Sequence, residues 1–289
     1  MRSSRKRPLY RRKHSRKRPR KQRGGRTVPT FSFISYGNEK YAQSRERIRK
    51  EAEQMGCFNG QIKVYTPEDL SEDFKTAAVR DVLNEPKGGG YWIWKPCIIA
   101  DMLSKLNDGD ILVYADSGCR LHPAGVPRLK EYADMISPKS NKSVLAMRLL
   151  DGTRHGPGGF LLKKWSSTPV FEYFKQSLDG EIANSNQILA GVVICRKCAE
   201  SERVIGRWLE VAKTRPDLFT DRYNEESKQL NPDFIDNRHD QPIWSMIVQT
   251  APYKDSCVII DEEIELEHGT PHTEKIRQLS PIIAARNKV

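Results

Sequence analysis

Short apolar runs rich in β-branched and aromatic residues recur along the chain, and stretches with a helical pattern separate them. The runs lie at 31–36, 61–65, 110–115, 143–147, 188–195 and 257–260. The helical patterns lie at 39–55, 71–83, 96–106, 125–136, 199–213 and 242–250. Strands that alternate with helices predict an α/β fold with a mixed, mostly parallel, Rossmann-like sheet flanked by helices in a single domain.

The net charge of +12 belongs almost entirely to one end of the chain. Residues 1–26 contain 14 Lys or Arg and no Asp or Glu, which leaves 35 basic against 37 acidic residues in 27–289. Such a segment cannot bury enough apolar surface to fold, so we expect a disordered basic tail at 1–26 and a globular domain at 27–289. The tail could contact nucleic acid, act as a nuclear address, touch an anionic membrane surface, or only solubilise the protein.

Composition and cysteine usage suit a protein of the cell interior. No apolar run approaches the roughly 20 residues that a transmembrane helix needs, and the N-terminus lacks the apolar stretch of a secretory signal. The six cysteines are spread along the chain, which favours reduced thiols over a disulfide framework. We therefore expect a cytoplasmic location, and a nuclear one is left open by the basic tail.

A carboxylate follows one of the most apolar runs, in the stretch DGDILVYADSGCR at 108–120. An unpaired buried charge is costly, so Asp116 is expected at the rim of the sheet, where ligands of α/β proteins gather beyond the strand ends. There Asp116, with Ser117 and Gly118 behind it, could hold a divalent cation or a ligand hydroxyl. The alternative is a turn or helix cap, because Asp and Ser both bond nearby backbone amides.

The stretch GGGYWIWKP at 88–96 places a lysine at the start of a predicted helix. A cation there opposes the helix dipole, and an anion such as a diphosphate, bound between Lys95 and the helix amides, would reverse that penalty. Trp94 and its aromatic neighbours could stack on a base or a sugar. The alternative is that the tryptophans pack in the core and Lys95 points to solvent.

Two further stretches carry polar groups next to predicted elements. In NSNQILAG (184–191), Gln187 offers a neutral amide suited to sugar hydroxyls and Gly191 clears space, although a polar loop before a strand is the alternative. In FIDNRHDQPIW (234–244), His239 and Asp240 could supply an acid, a base or a metal ligand, although Asp240 could simply cap the helix.

Taken in order, FSFISYG, GGGYWIWKP, GDILVYADSGC, QILAGVVI and NRHDQPIWS resemble a family of small nucleotide-sugar glycosyltransferases with a GT-A-type fold. Members of this family occur in bacterial polysaccharide clusters and in large DNA viruses. The resemblance runs from about Phe31 to Lys288, and its last part, PIIAARNK (281–288), places Arg286 near the site. If the chain is viral, the expected location is the host cytoplasm.

The resemblance implies a role for each motif. The Ser35-Tyr36-Gly37 turn meets the nucleotide, Lys95 lies near the diphosphate, and Asp116 takes the place of the metal-binding acids. The expected donor-binding residues are Tyr36, Gly37, Trp94, Lys95, Asp116, Ser117, Gly118 and Arg286. The expected sugar and acceptor side comprises Gln187, Ala190, Gly191 and Gln241, with His239 and Asp240 at the reacting centre.

These observations predict a glycosyltransferase that moves a hexose or pentose from a nucleotide-diphosphate sugar to a hydroxyl of a glycan or glycoprotein. The expected cofactor is Mn²⁺ or Mg²⁺ at Asp116, although the sequence has Asp-Ser-Gly where many such enzymes have two acids. Two alternatives remain: a nucleic-acid-binding protein that acts through its tail, and a non-catalytic relative that binds nucleotide sugars.

Overall fold

We describe the fold from a computed structural model of the chain, which covers residues 28–150, 158–265 and 279–285. The predicted tail and Arg286 lie outside the described residues, so the domain boundary at residue 26 stays a prediction. None of the helices in these ranges is long and apolar enough to cross a membrane.

Within the part of the chain that the structure describes, six strands form one sheet and two short strands form a separate pair. The strands are β1 (Phe31–Tyr36), β2 (Ile62–Tyr65), β3 (Ile111–Ala115), β4 (Arg120–Leu121), β5 (Val144–Met147), β6 (Val192–Arg196), β7 (Cys257–Ile260) and β8 (Ile282–Ile283). The large sheet has the order β2-β1-β3-β6-β5-β7, and β4 pairs with β8. Only β6 runs antiparallel to its neighbours in that sheet, so the predicted mixed, mostly parallel sheet is confirmed.

Helices cover both faces of the large sheet. The helical segments are α1 (Ala42–Gln54), α2 (Ala77–Leu83), α3 (Gly88–Tyr91), α4 (Lys95–Lys105), α5 (Val126–Met135), α6 (Thr168–Tyr173), α7 (Ala199–Thr214), α8 (Asn224–Leu230) and α9 (Asp240–Gln249). Apolar side chains of α4, α7 and α9 pack against one face, and those of α1 and α5 pack against the other.

The sequence of β3 shows why the sheet lies at the centre of the fold. All five of its residues are buried, and neighbouring side chains point to opposite faces of a strand. Leu112 and Tyr114 join the core under α4 and α7, whereas Ile111, Val113 and Ala115 join the core under α1 and α5. An apolar run without alternation is therefore the expected pattern for this strand.

Two predicted elements begin later than expected. The run at 188–195 forms a strand only from Val192, because the amides of Ile188 and Ala190 bond to side chains of α9 rather than to a neighbouring strand. The helix predicted from residue 71 begins at Ala77, where the Thr76 hydroxyl accepts a hydrogen bond from the Val79 amide. Because the strand begins only at Val192, the residues before it, Leu189, Ala190 and Gly191, can line a cavity.

Candidate active site

A cavity of about 350 Å³ lies where β1 and β3 end and β6 begins. This volume falls in the range of small-molecule sites. Twelve of the fourteen predicted site residues line it: Tyr36, Gly37, Trp94, Lys95, Asp116, Ser117, Gly118, Ala190, Gly191, His239, Asp240 and Gln241. The structure thus brings together motifs that lie up to 205 positions apart in the sequence.

The strand directions explain why these motifs meet. Tyr36 is the last residue of β1 and Asp116 follows the last residue of β3, and the two strands are parallel neighbours. The next strand, β6, is antiparallel, so Gly191 reaches the same edge just before β6 begins. The Asp116 amide donates a hydrogen bond of 2.9 Å to the Gly191 carbonyl, which ties the two segments together.

Lys95 places a buried ammonium between two carboxylates in the cavity wall. Its side chain is only 1% exposed, and its Nζ lies 2.5 Å from Asp240 Oδ2 and 3.3 Å from Asp116 Oδ1. Burial by itself lowers the pKa of the Lys95 ammonium, but the Asp116 and Asp240 carboxylates outweigh burial and hold the pKa above its ordinary value. The alternative in which Lys95 points to solvent is therefore wrong.

The amides at the start of α4 do not offer the anion site that the sequence suggested. The Lys95 amide donates to the Trp92 carbonyl, Pro96 has no N–H, and the Cys97 amide donates to the Trp94 carbonyl. With these groups already satisfied, the positive charge available at this point comes from the Lys95 side chain rather than from the helix end.

Asp116 is held by groups on either side. Its side chain is 32% exposed, and its Oδ1 accepts a short hydrogen bond from the Tyr114 hydroxyl as well as from Lys95. Burial, followed by the Asp116 charge, raises the pKa of Tyr114 well above its ordinary value, so that hydroxyl stays protonated. Arg47 donates to the Ser117 carbonyl at 2.6 Å and to the Cys119 carbonyl at 2.8 Å, which fixes the loop after β3.

The glycine run before Lys95 forms a left-handed turn. Residues 88–92 all have positive φ, including the non-glycine residues Tyr91 and Trp92. A Cβ on Gly88 would lie 2.4 Å from the Trp92 ring, so the ring packs directly on the glycine backbone. Left-handed backbone favours glycine, and this turn brings Trp92 into the cavity wall. Trp94 also lines the cavity, and it stacks on Tyr36 with ring centroids 3.7 Å apart.

His239 and Asp240 enter the cavity where α9 begins. His239 has a φ of +62°, its Nδ1 lies 2.9 Å from the Phe219 carbonyl, and its ring stacks on Trp92. Burial, reinforced by Lys87, lowers the pKa of His239 to about 4, so the neutral ring donates from Nδ1 and carries its lone pair on Nε2. Burial raises the pKa of Asp240 to about 6, although Lys95 acts in the opposite direction.

Gln241 belongs to the cavity wall, and Gln187 supports it from behind. Gln241 Nε2 donates to Gln187 Oε1 at 2.8 Å, and the Ala190 amide lies 3.4 Å from Gln241 Oε1. Gln187 is fully buried and does not line the cavity. Its predicted place at the sugar side is therefore indirect, because it reaches the cavity only through Gln241.

Sequence reasoning missed several residues of the wall. They include Asn38, Tyr41, Cys119, Leu189, Arg238, Glu265 and Ala284. Asn38 follows the Gly37 turn signal, and its Oδ1 is buried without a hydrogen-bond partner among the residues described. Glu265 and Ala284 come from segments that pair through a β-bridge near the C-terminus, and no motif signalled that pairing.

Asp116, where the sequence predicts a divalent cation, has few other groups near it that could bind a metal ion. No group of three His, Cys, Asp or Glu side chains in the described ranges lies close enough together to hold a metal ion. The Asp116 Oδ1 already accepts from Tyr114 and Lys95, and Ser117-Gly118 adds no second acid. These residues fit an ammonium better than they fit a divalent cation.

No protein-family model matches the chain, and no curated protein matches it either. Similar solved structures include a glycosyltransferase involved in glycosylation of the major capsid of PBCV-1, with 11% identity, a TM-score of 0.44, and coverage of 88% of this chain and 92% of that one. Mouse xyloside xylosyltransferase 1 has 9% identity, a TM-score of 0.47, and coverage of 89% and 98%. The galactosyltransferase LgtC has 11% identity, a TM-score of 0.40, and coverage of 87% and 86%.

Proposed function

We propose that the chain is a glycosyltransferase that moves a sugar from a nucleotide-diphosphate sugar to a hydroxyl of a glycan or glycoprotein. One observation supports this most: a single cavity combines an aromatic and amide end with a buried ammonium and two carboxylates. These are the groups needed to bind a base, to meet a diphosphate and to orient a hydroxyl.

The donor is proposed to lie along the ends of β1 and β3. Tyr36, stacked on Trp94, closes the base end, and the unpartnered Asn38 Oδ1 would accept a hydrogen bond from a base N–H. Gly37, Ser117 and Gly118 would flank the ribose and diphosphate, with Arg286 as a further donor-side contact.

Transfer requires stabilisation of the charge that builds up on the leaving diphosphate. The Lys95 ammonium is held in place by two carboxylates before the donor arrives, so it needs no rearrangement at the moment of bond cleavage. Pre-arranged positive charge of this kind is among the largest contributions to catalysis.

The acceptor is proposed to meet α9 and the segment before β6. Asp240 has a pKa near 6, close to neutral pH, which suits a carboxylate that takes a proton from, or orients, a hydroxyl. His239, neutral above its pKa near 4, would accept a hydrogen bond through Nε2 rather than act as the base. Gln241, Ala190 and Gly191 would contact the sugar.

A thermal-shift screen of nucleotide-diphosphate sugars tests the proposal. A bound donor at a hundredfold excess over its Kd raises the free energy of unfolding by about 2.7 kcal/mol, so a true donor shifts Tm clearly. Release of nucleoside diphosphate upon addition of glycan acceptors would then show transfer. Binding without turnover would indicate the non-catalytic relative.

Residues 27–289 provide the matched control for the tail. We expect the truncated chain to keep donor binding and transfer. If it shows neither, and the full chain binds nucleic acid in a salt-sensitive manner, the tail-based alternative is favoured instead.

A further inference from the structure

We propose that the Lys95 ammonium takes the place of a metal ion at the donor diphosphate, so that donor binding in this cavity needs no divalent cation. The inference rests on the proposed function and concerns which group meets the diphosphate there.

The Lys95 ammonium lies in the position that a bridging metal would need. Asp116 and Asp240 come from different elements, and the Lys95 Nζ lies between them at 3.3 and 2.5 Å. A cation ligated by both carboxylates would have to displace this ammonium, and a cation beside it would meet like charge.

The Lys95 ammonium is held more tightly by its surroundings than Asp116 is, because the two side chains are 1% and 32% exposed. Lys95 is the first residue of α4, its side chain is fully buried, and its Nζ lies 6.0 Å from the Trp94 ring centroid and 5.5 Å from that of Tyr114. Asp116 Oδ1 is taken by Lys95 and Tyr114, whereas Oδ2 lies beside Gly191, which has no side chain to cover that oxygen.

The ammonium keeps one donor for a ligand. A lysine ammonium has three N–H groups, and two of them point to the carboxylates. Across the described ranges Lys95 makes no other hydrogen bond, and it lines the cavity. The third N–H can therefore reach a phosphate oxygen, and the two carboxylates keep the ammonium charged and in position.

Titration calorimetry with UDP, GDP and ADP, and with any nucleotide sugar that the thermal screen identifies, tests the inference on the full chain. We expect the best ligand to bind in EDTA and in Mn²⁺ or Mg²⁺ with Kd values that agree within about twofold, a difference of under 1 kcal/mol. Affinity that rises tenfold or more, about 1.4 kcal/mol, when the cation is added would overturn the inference.

Two variants sharpen the test. In EDTA, Lys95→Gln is expected to lose about tenfold or more in affinity, whereas Lys105→Gln at the other end of α4 keeps wild-type affinity. If Lys95→Gln does not fold, the Kd values of the wild-type protein in EDTA and in Mn²⁺ still test the inference. If nucleotides bind only when the cation is present, this inference is wrong but the proposed function is still supported. If no nucleotide binds in either buffer, both are wrong.

Discussion

Replacement of Lys95 by glutamine should destabilise the fold strongly, because it leaves a buried carboxylate without its ionic partner. Lys95 and Asp240 are 1% and 7% exposed and 2.5 Å apart, so solvent screens their interaction little. Loss of one partner of such a buried pair costs about 3–5 kcal/mol. Asp116, at 32% exposure and 3.3 Å, contributes less. We therefore expect the free energy of unfolding of Lys95→Gln to fall by about 3–5 kcal/mol.

Urea unfolding followed by tryptophan fluorescence measures this change, and a double-mutant cycle assigns it to the pair. Lys95→Gln/Asp240→Asn removes both charges, so it should regain about 2 kcal/mol or more relative to the sum of the single changes. Lys105→Gln is the matched control, because its exposed pair with Asp101 should be worth less than about 1 kcal/mol. A loss below about 1 kcal/mol for Lys95→Gln, or an additive cycle, would refute the reasoning.

Three further predictions concern protons and backbone. The pKa of Asp240 rises from 3.8 to about 6 on folding, so the folded state holds this proton more tightly and the group lowers stability as pH rises from about 4 to 6. The free energy of unfolding of Asp240→Asn minus that of wild type should therefore grow by about 3 kcal/mol across this window. A flat difference would contradict the burial argument. The pKa of His239 falls from 6.5 to about 4 on folding, so this group lowers the stability of the fold as pH falls through that window. His239→Gln should therefore lose less stability than wild type between pH 6.5 and 4. Parallel pH profiles of the two proteins would contradict this. Gly88→Ala should destabilise more than Gly56→Ala, because both glycines have a φ near +60° but only at Gly88 would a Cβ meet the Trp92 ring; equal losses in thermal unfolding would show that packing at this ring is unimportant.

The order of the large sheet's strands along the sequence was predictable because each of them lies in a local apolar run, whereas the short strands β4 and β8 were not predicted. The run from Ile111 to Ala115 predicted a buried strand, and Asp116 directly after it predicted a group at the rim of the sheet. Both follow from residues that are neighbours in sequence, so the pattern contained the information.

The pairing of Lys95 with Asp240 was not predictable in this way. The two residues are 145 positions apart, and each has a local alternative, a solvated lysine or a helix cap. The left-handed turn at residues 88–92, in which Gly88 packs under Trp92, was not predicted from the sequence either. A contact between distant segments decides the first feature and the left-handed backbone of residues 88–92 decides the second, and no periodicity of the sequence reports either.

A crystal structure of the chain with a bound nucleoside diphosphate would test the central claim most directly. We expect the base to lie beside Tyr36 and Asn38, and a phosphate oxygen to lie within about 3.2 Å of Lys95 Nζ, the distance of a hydrogen bond. A nucleotide bound at another surface, or with its diphosphate away from Lys95, would contradict it.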